Sequence, residues 1–174
     1  MISISVIFWL FITLFGLIGI MRGWAKEVLV TFSGVLSLFI IDIFRGFIDG
    51  LFDPSTQSGA ENSFWFLSAV IILMAFFGYQ SPRFGFIAQK TTRERLTEAV
   101  LGAIFGGVNA YLVVGSIWSF LARANYFPEL EFIIAPLAED PFLVTFPLPP
   151  DWMAGTPLYV ILAILAVFIV AVFI

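Results

Sequence analysis

The chain has 174 residues, of which 61% are hydrophobic and only 11% charged, with a net charge of −4 and a mean hydropathy of +1.07. A soluble domain of this length cannot hide so much apolar surface, which places the chain among polytopic helical membrane proteins. Cysteine and histidine are both absent, which excludes disulfides, thiolate metal sites and imidazole ligation of haem, zinc or copper from this chain. No cofactor is expected beyond bound lipid.

The first apolar run, residues 2–21, carries no charge. It lacks the basic flank and small-residue cleavage site of a signal peptide, so it reads as a retained first span. The stretch "GIMRGWAKE" follows, with Arg22, Lys26 and Glu27 closely spaced. Its simplest reading is a hairpin turn, in which Arg22 and Lys26 meet anionic headgroups and Trp24 sits in the aromatic belt. Glu27 then faces the positive end of the next helix dipole. A less favoured reading makes Arg22 and Glu27 an ionisable pair reaching into the bundle.

A second span covers residues 28–48, with Asp42 and Arg45 near its far end at a spacing that permits pairing. A third runs over residues 64–79 and is short. The fourth, residues 99–122, is 24 residues long and glycine-rich. Gly102 and Gly106 form G-x-x-x-G, Gly115 lies two turns beyond Gly107, and Gly19 and Gly23 repeat the spacing at the end of the first span; such small-residue seams let helices pack closely in lipid, within one chain or between copies. Asn109, in the middle of this span, is expected to hydrogen-bond across a helix interface. A fifth span, residues 158–174, follows Pro157, a residue suited to a first helical turn. The fold class is therefore an all-α integral membrane bundle of about five transmembrane helices. Residues 1–122 form a four-helix region, 123–157 an outer loop and 158–174 a C-terminal helix.

The connecting stretch of residues 81–100 contains a capping-box pattern at Thr91 and Glu94 and an upstream segment suited to the headgroup plane. Too few basic residues gather there for nucleic-acid binding. Residues 123–157 hold seven prolines and the aromatic residues Phe127, Phe132, Phe142, Phe146 and Trp152 among acids. That composition is too apolar for a disordered linker, so the segment is expected to lie along the interface or to clamp a neighbouring subunit. Six basic residues fall on one side of the five-span topology and two, Arg45 and Arg123, on the other, together with nine of the twelve acids. Positive-inside counting then puts the N-terminus outside and the C-terminus in the cytoplasm.

Gly19, Arg22, Gly23 and Glu27, spaced G-x-x-R-G-x-x-x-E, precede a second block, "LTEAVLGAIFGGVNAYLVVG", which contains Leu101, Gly102, Phe105 and Gly106. Both blocks, in this order and each at a membrane border, resemble the colicin V production protein (CvpA) family over about residues 1–120. The resemblance implies a bacterial inner-membrane protein of about four spans, associated with colicin export and envelope homeostasis, with no catalytic mechanism attached. This chain departs from the family in the second block. An acidic-basic pair is replaced by Glu98-Ala99, and an Arg-Gly by Asn109-Ala110.

No Ser/His/Asp or Cys/His set, phosphate-cradling glycine loop or intramembrane carboxylate cluster is present, so no enzyme is expected. Two functions remain: an accessory or structural subunit of a larger membrane complex (secretory, respiratory or photosynthetic) or homo-oligomer, and a small transporter or channel-like component.

Overall fold

The computed structural model describes residues 4–80, 92–128 and 147–173. Among these the regular structure is entirely helical: α1 (Ile4–Arg22), α2 (Trp24–Ile43), α3 (Arg45–Leu51), α4 (Gln57–Tyr79), α5 (Thr92–Arg123), α6 (Pro149–Trp152) and α7 (Thr156–Phe173). The protein is an all-α membrane protein. Helices α1, α4 and α5 are each long and apolar enough to cross a bilayer, and α2 with α3 forms a fourth span if the bent pair is taken as one. Helix α7, expected as a fifth span, is apolar but shorter than these.

A single residue joins α1 to α2. Gly23 has φ +85°, a left-handed conformation that costs glycine nothing, and its amide still closes a bond to the Gly19 carbonyl at 2.9 Å. The two helices separate beyond that joint. Helix α1 lies along α5, whereas α2 packs on α4, α5 and α7. The central position of α5 follows from its pattern: its buried face presents Gly102, Gly106, Asn109, Ala110, Leu112 and Ser116. At 32 residues and 1.5 Å per residue it is about 48 Å long, so its charged first turns extend past a ~30 Å hydrocarbon layer.

Two expectations for the spans need correction. The second span does not run to residue 48 as one straight helix. Helix α2 ends at Ile43, Phe44 leaves the helical well (φ −89°, ψ 7°), and α3 departs at 64°. Asp42 and Arg45 flank this break, and Gly46 and Gly50 weaken the helical continuation. Asp42 and Arg45 do not pair with each other; Asp42 instead accepts from the Tyr159 hydroxyl of α7 at 3.0 Å. The third span is longer than its apolar run because α4 starts at Gln57. The Thr56 hydroxyl caps it by accepting from the Gly59 amide at 3.1 Å, an interaction worth ~1 kcal/mol.

The larger core joins α2, α4, α5 and α7 through Val35, Leu38, Ile71, Leu112, Phe120 and Leu158. A smaller one sets Phe8 of α1 edge-on to Trp118 of α5, with centroids 5.6 Å apart, and seals it with Leu148. Large apolar side chains such as Leu10, Phe77 and Val167 point outward, as a lipid solvent permits.

Candidate functional site

The polar groups of the bundle converge where α1 meets α2. Arg22 closes the last turn of α1 and Glu27 opens the first turn of α2, so each charge complements the dipole of its own helix. The tight Gly23 joint brings them together: Arg22 Nη1 donates to Glu27 Oε1 at 2.6 Å. Glu27 has 0% side-chain exposure and Arg22 21%. The inward ion pair, the less favoured sequence reading, is therefore the observed geometry, and Arg22 is not simply a headgroup anchor.

Three further side chains complete the cluster. Asn109 of α5 donates from Nδ2 to Glu27 Oε2 at 2.8 Å and to the Glu27 carbonyl at 3.1 Å, using both of its amide hydrogens. Thr31, one turn along α2, donates to Asn109 Oδ1 at 2.7 Å, and its hydroxyl also lies 3.0 Å from the Glu27 carbonyl. Tyr79 ends α4 with its hydroxyl 3.5 Å from Glu27 Oε2. The Arg22 guanidinium lies 4.3 Å from the centroid of the Tyr79 ring and donates from Nη2 to the Tyr79 carbonyl at 3.1 Å. One buried carboxylate thus has a cation, an amide and a phenol from three other helices. Charges buried in this way persist only when paired and hydrogen-bonded. Among the described residues, the sole buried side-chain polar atom without a partner is Ser68 Oγ, elsewhere on α4.

The glycine seam holds this arrangement. A methyl group on Gly19 would strike the Gly102 carbonyl, one on Gly102 the Gly19 carbonyl, and one on Gly106 the Phe15 carbonyl. Backbone thus meets backbone along α1 and α5. Gly102 and Gly106 are occupied within the chain, while Leu101 and Phe105 beside them are half-buried. The Glu98 side chain lies over Gly23. Gly115 faces Pro149 of α6.

Two of the aromatic residues singled out in the 123–157 segment are described, and both contact the bundle. Phe127 packs edge-on against Phe64 of α4 at 5.1 Å, and Trp152 donates to the Tyr111 hydroxyl of α5 at 2.8 Å. Tyr111 in turn donates to the Pro147 carbonyl. Phe132, Phe142 and Phe146, and the expected cap at Thr91, lie outside the described residues.

Sequence reasoning missed Thr31 and Tyr79 as members of the cluster. Thr31 carried a signal, since it falls four residues after Glu27 on the same helix face. Tyr79 carried none beyond its place at a span end. Among the described residues no group of three or more acidic side chains is arranged to hold a metal.

The colicin V production protein family model matches residues 4–136. No curated protein and no solved structure matches the chain. The matched stretch takes in α1 to α5, the glycine seam and every residue of the buried cluster. The chain therefore belongs to the colicin V production protein family.

Proposed function

We propose that this protein is a non-catalytic accessory subunit of a larger assembly in the bacterial inner membrane, secretory, respiratory or photosynthetic, with its N-terminus outside and its C-terminus in the cytoplasm. The observation that carries the reading is the closed hydrogen bonding around Glu27. A group that binds and releases a transported ion needs spare coordination, whereas this carboxylate is held by Arg22 and Asn109 at 2.6 and 2.8 Å. Such a cluster acts as a staple between helices. The anchored ends of the aromatic, proline-rich segment, at Phe127 and Trp152, support presentation of that segment on a firm base to a neighbouring subunit.

Purification in mild detergent followed by mass spectrometry tests this reading. Larger membrane proteins are expected at fixed stoichiometry with the chain; recovery of the chain alone or as a simple homo-oligomer overturns it.

A second reading, a small transporter for export or envelope homeostasis, draws on the same buried pair, because ionisable residues within membrane helices often mark conduction or coupling sites. It predicts flux across liposomes containing this chain alone, lost on Arg22→Ala or Asn109→Ala. Without such flux the reading fails.

A further inference from the structure

At the other end of α2, the bend at Phe44 opens a cleft of about 540 Å³ between α2, α3, α4 and the end of α5. That size suits a small-molecule or lipid-fragment site, for which ~300–1,000 Å³ is usual. Its walls are apolar, formed by Ile41, Phe64, Leu67 and Phe120, and its exposed rim carries Arg45 and Asp49 of α3 and Arg123 of α5. Arg45 and Arg123 are the two basic residues that the sequence assigns to this side, and both line the same cleft.

Arg45 and Asp49 stand four apart on α3, in the order, cation first, that runs against the helix dipole and favours pairing least. Among the described residues neither has an ion-pair or hydrogen-bond partner. Arg123 is engaged at 3.2 Å by Asp151, in a bridge whose partners are 41% and 48% exposed and which another anion can therefore displace or join. The rim thus offers an uncommitted cation, a second cation weakly held, and an uncommitted carboxylate, all above an apolar floor.

The geometry points to a binding site for a zwitterionic aminophospholipid such as phosphatidylethanolamine. Its phosphate would bridge Arg45 and Arg123, its ammonium would donate to Asp49, and one acyl chain would occupy the cleft. Arginine suits the phosphate through paired N–H donors. A choline headgroup lacks N–H donors for Asp49, and a glycerol headgroup lacks the cation. The assignment is independent of whether the protein works as a subunit or a transporter.

The test uses the delipidated full chain in mild detergent, titrated with phosphatidylethanolamine, phosphatidylglycerol or phosphatidylcholine of matched acyl chains and read by native mass spectrometry. Phosphatidylethanolamine is expected to be retained at least about tenfold better than phosphatidylcholine, the scale of one charge-assisted hydrogen bond. Arg45→Gln with Arg123→Gln should bring all three lipids to a common low level. Asp49→Asn should abolish the preference for phosphatidylethanolamine over phosphatidylcholine while leaving phosphatidylglycerol retention intact. Lys26→Gln, at the opposite end of α2, should change nothing. Circular dichroism checks the fold of each variant, and should the double variant not fold, Arg45→Gln alone carries the test. Retention that survives loss of the arginines, phosphatidylcholine or phosphatidylglycerol binding as well as phosphatidylethanolamine, or displacement of the lipid by millimolar inorganic phosphate overturns the assignment.

Discussion

The two ends of α2 handle charge in opposite ways. At its start Glu27 is fully buried and held by side chains from α1, α4 and α5, with glycine backbones of α1 and α5 in contact beside it. At its finish the helix breaks at Phe44, Arg45 and Asp49 stay exposed, and a cleft opens. The difference lies in the size of neighbouring residues as much as in charge. Where glycine allows helix axes to approach, polar side chains from several helices reach one another and satisfy a buried ion. Where Phe64 and Phe120 line a cleft between the helices, charges stay at the rim.

Breaking the closed end should have the largest effect. Arg22→Leu leaves Glu27 buried without a counter-charge and is expected to cost ~3–5 kcal/mol. Glu27→Leu should cost less, no more than about 3 kcal/mol, because Arg22 is partly exposed and its long stem lets the guanidinium turn toward water. Unfolding in detergent, followed by near-ultraviolet circular dichroism, ranks the two; equal losses would mean that Glu27 is not desolvated as described. The double variant should recover part of the Arg22→Leu loss, since no uncompensated charge remains.

Gly106→Val is expected next, at ~2–3 kcal/mol, because its side chain meets the Phe15 backbone rather than a movable side chain. A valine tolerated here without loss, in the same unfolding measurement, would argue that α1 is not held against α5. Asn109→Leu removes both amide hydrogen bonds to Glu27 and should cost ~1–2 kcal/mol, with a loss in proteolytic protection that follows the stability.

The smallest effect is expected at the open end. Asp53, in the turn before α4, accepts from the Ser55 amide at 3.0 Å and the Ser55 hydroxyl at 2.7 Å, and these bonds hold its carboxyl below the ordinary value of 3.8. A lowered pKa contributes stability that is present above the unfolded value and lost as pH falls through the folded one. Acid titration should therefore destabilise the native protein slightly more than Asp53→Asn below about pH 3.8, and identical acid curves would remove Asp53 from the account.

The apolar runs were legible because spanning a bilayer is a matter of local length and composition. Their limits were less so. The start of α4 depends on the Thr56 cap, and the end of α2 on a break at a phenylalanine, which Gly46, two residues on, marks only weakly. The glycine seam was visible as a spacing, but spacing cannot say whether the opposing surface is another helix of the chain or a second copy. The cluster around Glu27 was least legible. Asn109 and Glu27 are 82 residues apart in the chain, and their contact exists only because α1 and α2 diverge at Gly23 and leave room for α5 between them.

That divergence also bears on biosynthesis. Helix α1 finds its closest partner not in the next helix to emerge but in α5, whose Gly102 lies 83 residues after Gly19. At about 5–20 residues per second of translation, α1 waits on the order of ten seconds in the membrane with its glycine face uncovered. During that interval lipid, the insertion machinery or a chaperone must shield it, and the nascent chain acquires its final form only when the fifth helix slides into the gap.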